Sequence, residues 1–151
     1  MRLAVGPVAG PVPPLSSAAV ELDCRAGGSP SEAVLIPAAL NTGGMVVAEC
    51  FGIVTEVLAG ATEDLAVITF KDTDDNPLNI MLTTSDNGAD AVNDILVPSG
   101  TTVTLWAGST GAPAAVVPAG KGIKAVVTQA TSGTGAAGKV KVLVKAVSLG
   151  G

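Results

Sequence analysis

Residues Lys139–Val147 read KVKVLVKAV, and this stretch decides the class of the fold. Apolar residues occupy positions 140, 142, 144 and 146, while lysines stand at 139, 141 and 145. Alternation with a period of two is the pattern of a half-buried β-strand, and the 3.6-residue period of a helix fits it badly. The stretch therefore predicts a strand with one face in the core and an outward face that carries the lysines.

The residues just before this strand resemble a phosphate-binding loop. Gly133–Val140, GTGAAGKV, satisfies the G-x-G-x-x-G dinucleotide pattern, the glycine-rich loop of kinases and all but the last position of a Walker A loop. A Walker A loop needs a hydroxyl where Val140 stands. A phosphate cradle at a helix N-terminus needs a helix after the glycines, and the pattern here predicts a strand. We therefore interpret Gly133–Gly138 as the tip of a β-hairpin, with glycines at positive φ, and expect no nucleotide cofactor.

Composition indicates one domain with more apolar surface than a soluble monomer usually exposes. The chain has 151 residues, of which 48% are hydrophobic and 2% aromatic, so valine, isoleucine, leucine and alanine must build the core. Mean hydropathy is +0.55 although 14% of the residues are charged. Surplus apolar surface of this kind marks interaction sites. We expect oligomerisation or docking on a larger assembly.

The charges are segregated along the chain. Residues 1–94 contain all 13 acidic residues and three basic ones, a net charge of −10, whereas residues 95–151 contain five lysines and no acid. Either the solvent-facing positions of the two halves simply differ, or the acidic face of one copy meets the basic strands of a neighbour. The net charge of −5 and the lack of basic patches with interleaved aromatic residues argue against nucleic-acid binding.

The residues needed for common catalytic sites are missing. The sequence has no histidine, which removes the most frequent general base and every Ser-His or Cys-His arrangement. Cys24 and Cys50 are widely spaced, so we expect free, buried thiols of a protein made in a reducing cytoplasm. We predict that the protein is not an enzyme and has no cofactor.

The N-terminal residues 1–17 are predicted to form an extended arm that precedes a single β domain at 18–151. Prolines at 7, 11, 13 and 14 fix φ and break the apolar helix that a signal peptide requires. No apolar run reaches the 18 residues or so that suggest a membrane span, so we expect no membrane partner.

Strand-like segments alternate with turn residues every 8–15 residues along the rest of the chain. This spacing predicts an all-β, mainly antiparallel sandwich or barrel. The predicted strands are Ala18–Asp23, Ala33–Ile36, Met45–Leu58, Leu65–Lys71, Leu78–Thr84, Thr101–Trp106, Ile123–Thr128 and Lys139–Val147. One short helix is predicted at Asp86–Ile95.

Two acidic clusters resemble cation sites. The run Asp72–Asn76, DTDDN, is similar to a calcium loop, but Pro77 and Thr83 stand where that loop needs glycine and glutamate. A polar hairpin turn is the interpretation that we favour, with calcium as the alternative. In the predicted helix, Asp86, Asp90 and Asp94 would share one face. Asp86 would cap the helix, with a bridging cation again as the alternative, and we predict no metal at either cluster.

Two segments resemble the head decoration, or cement, proteins of tailed bacteriophages. They are residues 90–101, DAVNDILVPSGT, and 116–123, VVPAGKGI, and the likeness covers roughly the last two thirds of the chain. The resemblance implies a small β-rich protein of the virion that binds the outside of an expanded capsid, often as a homotrimer. Its partner would be the major capsid protein, contacted in part by an N-terminal arm. The chain departs from the best-known members in lacking histidine and tyrosine and in its longer acidic region.

From these observations together we predict a set of partner-binding residues. They are Arg2, Pro7, Pro11, Val12, Pro13 and Pro14 of the arm, Trp106, and the outward lysines Lys139, Lys141 and Lys145. Trp106 is either an anchor in the core or at an edge, or a binding hot spot. The alternative functions are another phage structural subunit, of a tail tube or head fibre, and a secreted calcium-binding β module.

Overall fold

The computed structural model describes residues 15–84, 90–98 and 116–150. Within these ranges one 3-10 helix, Ala38–Leu40, accompanies the strands. The strands are β1 (Leu15–Asp23), β2 (Glu32–Ile36), β3 (Met45–Ala59), β4 (Val67–Asp72), β5 (Pro77–Thr83), β6 (Ile95–Leu96), β7 (Val116–Val117), β8 (Ile123–Gln129) and β9 (Ala137–Ser148).

The strands form two sheets packed on one core. Sheet 1 has the order β1-β9-β3-β6, with β7 also paired to β3, and sheet 2 has the order β2-β8-β4-β5. Every pairing between these strands is antiparallel. The prediction of an all-β, mainly antiparallel sandwich is therefore confirmed. Strand β1 begins at Leu15, so three residues that the sequence assigns to the arm lie in the sheet.

The alternation in β9 appears in the structure as predicted. Val140, Val142, Val144 and Ala146 are at most 1% exposed, while Lys141 and Lys145 face solvent. Because β9 lies between β1 and β3, its inward valines are covered on both sides. Each buried aliphatic side chain of this size contributes about 1.5–3 kcal/mol relative to an exposed one.

The predicted helix at Asp86–Ile95 is wrong over the residues that the structure describes. Residues 91–94 form a turn, in which the backbone N–H of Asp94 donates to the carbonyl of Ala91 over 3.0 Å. Asn93 has a φ of 78°, which a right-handed helix cannot accommodate. The turn lies on the edge of β3, where Asn93 N–H donates to Val54 O and Val54 N–H donates to Asp94 O. Asp86 lies outside the described residues.

The glycine run connects the two sheets and is not a hairpin tip. Strand β8 belongs to sheet 2 and β9 to sheet 1, so the strands that flank the run do not pair with each other. The expectation of positive φ is confirmed, with 89° at Gly133, 77° at Gly135 and 138° at Gly138. The hairpin prediction was wrong because adjacent strands in sequence need not be neighbours in a sheet. The predicted strand Thr101–Trp106 lies outside the described residues.

Candidate docking surface

Sheet 1 presents an apolar stripe on the face that points away from the core. The stripe consists of Ala19 on β1, Leu143 on β9, Phe51 and Ile53 on β3, and Ile95 on β6. Leu143 lies directly opposite both Ala19 and Phe51, and Ile53 lies opposite Ile95. Directly opposed residues of an antiparallel pair share a face, so the side chains form one continuous set across four strands.

The exposure of the stripe is what makes it unusual. Ile95 is 59% exposed, and Leu143, Phe51 and Ile53 are half-buried. Val97, which follows Ile95 just beyond β6, is also exposed. Single exposed aliphatic residues are common on proteins, but a contiguous set indicates an interaction site.

The lysines predicted for partner binding lie on this same face. Lys141 is opposite Ile53, and Lys145 is opposite Glu49, in a stretch of β9 without register shifts between 140 and 145. The Lys145 ammonium lies 3.3 Å from Glu49 Oε2, and that of Lys139 lies 4.0 Å from Glu56 Oε2. Lys141 is exposed and forms no ion pair within the described ranges. Such exposed ion pairs contribute about 0–1 kcal/mol each to the free energy of unfolding, so their main effect is to place charged groups on either side of the stripe.

A third polar contact closes one end of the stripe. The Thr55 hydroxyl donates to Glu21 Oε2 over 2.8 Å, which links β3 to β1 across β9. The outer face of sheet 1 therefore has a polar end near Thr55 and Glu21 and an apolar centre at Phe51 and Leu143.

The charge segregation of the sequence is compensated inside one chain. Lys121 pairs with Asp74, and Lys124 lies 2.6 Å from Asp75 and 3.4 Å from Glu32. Together with the pairs on sheet 1, these contacts join lysines of the second half to acids of the first. The antiparallel order explains this, because β8 and β9 are each inserted between strands from the first half. The two charge blocks therefore do not by themselves require a neighbouring copy.

The acidic run Asp72–Asn76 is the turn of the β4–β5 hairpin, as the sequence suggests. Asp72 Oδ1 accepts hydrogen bonds from the backbone N–H groups of Asp74 and Asn76, at 2.8 and 3.0 Å, and Oδ2 accepts one from Asn76 Nδ2 at 2.9 Å. Burial acts to raise the pKa of Asp72, but these hydrogen bonds and the nearby Lys121 outweigh it and hold the pKa below its usual value.

The other carboxylates of the turn are held by lysines. Hydrogen bonding and attraction from Lys124 lower the pKa of Asp75. Asp74 is the partner of Lys121, and their hydrogen bond raises the pKa of that lysine. Of the second cluster, Asp90 is buried, whereas Asp94 accepts a hydrogen bond from Ala91 N–H over 2.7 Å. Across residues 15–84, 90–98 and 116–150, no three histidine, cysteine or acidic side chains are grouped so as to hold a metal.

Both cysteines are free and buried, as predicted. Burial, with a smaller effect of the neighbouring Asp23, raises the pKa of Cys24 to about 12. Burial and the charge of Glu49 raise the pKa of Cys50 to about 12. Both thiols are therefore protonated at neutral pH, a state in which cysteine is a poor nucleophile.

The remaining nominated residues, Arg2, Pro7, Pro11, Val12, Pro13, Pro14 and Trp106, lie outside the described residues. The sequence pattern did not predict the apolar residues on the outer face of sheet 1. In Met45–Ala59 apolar residues occupy both faces, so the outward positions of Phe51 and Ile53 do not show as an alternation. No helix in the described part of the chain combines the length and apolar character needed to cross a bilayer.

Comparison with known proteins finds a similar fold in a solved structure. No protein-family model matches the sequence, and no curated protein matches it. A chain of the cyanophage Pam1 capsid asymmetric unit is similar over 98% of this chain and 94% of that chain, with 14% identity and a TM-score of 0.49. A likeness at this level does not assign a function to the chain.

Proposed function

We propose that this chain is a structural protein of a tailed-phage virion, which binds the outer capsid surface and strengthens contacts between capsomers. The partner is the major capsid protein, and the sequence resemblance implies that the chain acts as a homotrimer. The observation that carries the proposal is the apolar stripe on sheet 1, flanked by the ion pairs Lys145–Glu49 and Lys139–Glu56. A structural protein of this kind needs contact area and no reactive group.

The geometry of the stripe suits attachment to a second protein surface. Phe51 stands near its centre, and aromatic residues in the middle of an interface contribute a large share of the binding energy. The flanking ion pairs, Lys145–Glu49 and Lys139–Glu56, mainly orient the bound partner, because exposed charges affect specificity and association rate more than affinity. Binding of many copies to one shell compensates for a modest affinity at each site.

Co-sedimentation with bare expanded capsids tests the proposal directly. We expect the purified protein to pellet with the shells and the Ile95→Ser variant to bind more weakly. Val34→Ser is a matched control, because Val34 is a similarly exposed aliphatic residue, 54% against 59%, but lies on sheet 2. Undiminished binding by Ile95→Ser would contradict attachment through sheet 1, and equal loss in both variants would show that the effect is not specific to that sheet. Tubes formed without any shell would favour a tail-tube subunit instead.

Deletion of residues 1–14 tests the arm. We expect the truncated protein to fold, because β1 begins at Leu15 and all its pairs with β9 are retained. We also expect shell binding to be lost, since extended arms typically attach by adding a strand to a sheet edge. Circular dichroism and co-sedimentation measure the two effects. Undiminished binding by the truncated protein would contradict a role for the arm.

A further inference from the structure

We propose that β1 is a pairing edge at which two copies of this chain join. The two β1 strands run antiparallel about a two-fold axis perpendicular to the sheet, with Ala19 opposite Ala19 of the second copy. Sheet 1 of each copy then continues into the other. This inference is independent of shell binding and of the N-terminal arm.

Strand β1 has few of the features that protect sheet edges along most of its length. On one side β1 pairs with β9, and within the described ranges no strand pairs with its other side. Natural edge strands are commonly short, bulged, or marked by lysine or proline. By contrast, β1 is nine residues long, contains neither lysine nor proline, and pairs with β9 without a register shift. Its two acidic residues, Glu21 and Asp23, lie near its C-terminal end, where the Asp23 N–H donates to Pro30 O over 2.8 Å, so the open edge stops before Asp23. A regular edge of this length, free of lysine, proline and bulges, favours the addition of another strand.

The core is incompletely covered along β1. Ala18 and Val20 pack against the core, yet both are only half-buried. Their cross-strand partners on β9, Val144 and Val142, are at most 1% exposed. A strand placed beside β1 would cover Ala18 and Val20, which gives the pairing a hydrophobic contribution besides its main-chain hydrogen bonds.

A second copy of this chain fits the edge, because β1 is complementary to itself. With Ala19 at the two-fold axis, Ser17 faces Glu21 of the second copy and Ala18 faces Val20. Outward residues then meet outward residues, inward residues meet inward residues, and no two like charges are opposed. The isologous contact required for a closed dimer is thus available without any change in β1.

The pairing is separate from the three-fold contact that the family resemblance implies. A homotrimer formed in addition to this pairing would have to use another surface, because the two-fold contact occupies β1. The test must therefore detect the β1 contact itself rather than only a molecular mass.

Cysteine cross-linking of the full chain detects that contact. Opposed Cα atoms of an antiparallel pair lie about 4.5–5.5 Å apart, within the range of about 4.4–6.8 Å that a disulfide spans. We expect Ala19→Cys to form a covalent dimer under mild oxidation. Ser17→Cys alone should not form one, but should cross-link to Glu21→Cys when the two variants are mixed. Cys24 and Cys50 are buried, so the unsubstituted chain is the background control.

Charge variants at the axis provide an independent readout. Ala19→Lys and Ala19→Glu each oppose like charges, and each should raise the dimer dissociation constant about fivefold. An equimolar mixture of the two should recover the association, whereas Ala119→Lys, in an exposed turn, should have no effect. Sedimentation velocity over a range of concentrations measures all four. The proposal is wrong if Ala19→Cys yields no more covalent dimer than Ser17→Cys, or if the mixture associates no better than its components.

Discussion

At the scale of single residues, Gly138 shows how a motif that suggests nucleotide binding serves the fold. Its φ is +138°, and a Cβ at this position would lie 2.6 Å from Leu58 Cγ and 2.9 Å from Leu58 Cα. Both the backbone conformation and the close approach to β3 therefore require glycine. Gly135 in the same run also has a positive φ, of +77°, but no atom lies within 4 Å of its Cβ position.

This difference predicts unequal effects of two alanine substitutions. Gly135→Ala should lower the free energy of unfolding by about 1 kcal/mol, the cost of a left-handed conformation. Gly138→Ala should lower it by about 3 kcal/mol, since steric displacement of β3 is added to backbone strain. Urea denaturation measures both. Equal losses would mean that the contact with Leu58 relaxes without cost.

The carboxylate of Asp72 predicts a dependence of stability on pH. Its pKa is lowered by folding, so its stabilising effect is complete above the unfolded pKa of about 4 and is lost as the pH falls through the folded value. Asp72→Asn should cost about 1–2 kcal/mol at pH 7, because an amide cannot accept all three hydrogen bonds. The difference from the unsubstituted protein should shrink at pH 3, as urea denaturation would show. A difference that is independent of pH would contradict this role.

At the scale of elements, neighbouring residues of strand β9 lie on opposite faces of sheet 1. Val142 is fully buried, whereas the next residue, Leu143, lies in the apolar stripe outside. Val142→Lys should unfold the protein, because an unpaired charge in the core costs several kcal/mol. Leu143→Lys should change the free energy of unfolding by less than about 1 kcal/mol and weaken docking instead. Thermal melts followed by circular dichroism separate the two, and equal destabilisation would show that the outer face is packed in the monomer.

The acidic turn and the helix predicted at Asp86–Ile95 show which elements local sequence patterns can predict. Turn chemistry at Asp72–Asn76 correctly predicts a hairpin, since its hydrogen bonds form between near neighbours in sequence. Over Asp90–Ile95, the described part of the predicted helix, a positive φ at Asn93 and pairing with β3 override a local helical spacing.

At the scale of the whole molecule, the C-terminal strand is central. Strand β9 lies between β1 and β3 and pairs with both along most of its length. A chain truncated after Gln129 should therefore fail to fold cooperatively, since β1 loses the one strand to which it pairs in the described residues. Removal of residues 149–151 is a matched control, because it removes no described strand and, in the described residues, two hydrogen bonds, from Leu149 N–H to Gly44 O and from the Ser148 hydroxyl to Gly150 O. Circular dichroism and urea denaturation distinguish the two outcomes.

Sequence alone determined the local features: the seven longer strands of the described residues, the inward and outward faces of β9, the turn at Asp72 and the buried, free cysteines. Each follows from side-chain period, turn chemistry or composition, which are properties of neighbouring residues. Tertiary structure alone decided which strands pair. It turned the glycine run of residues 133–138 from a presumed hairpin tip into a connection between sheets, and it paired the two charge blocks within one chain. It also assembled the stripe of Phe51, Leu143 and Ile95, because pairing partners far apart in sequence are selected by burial of a shared core and not by local pattern.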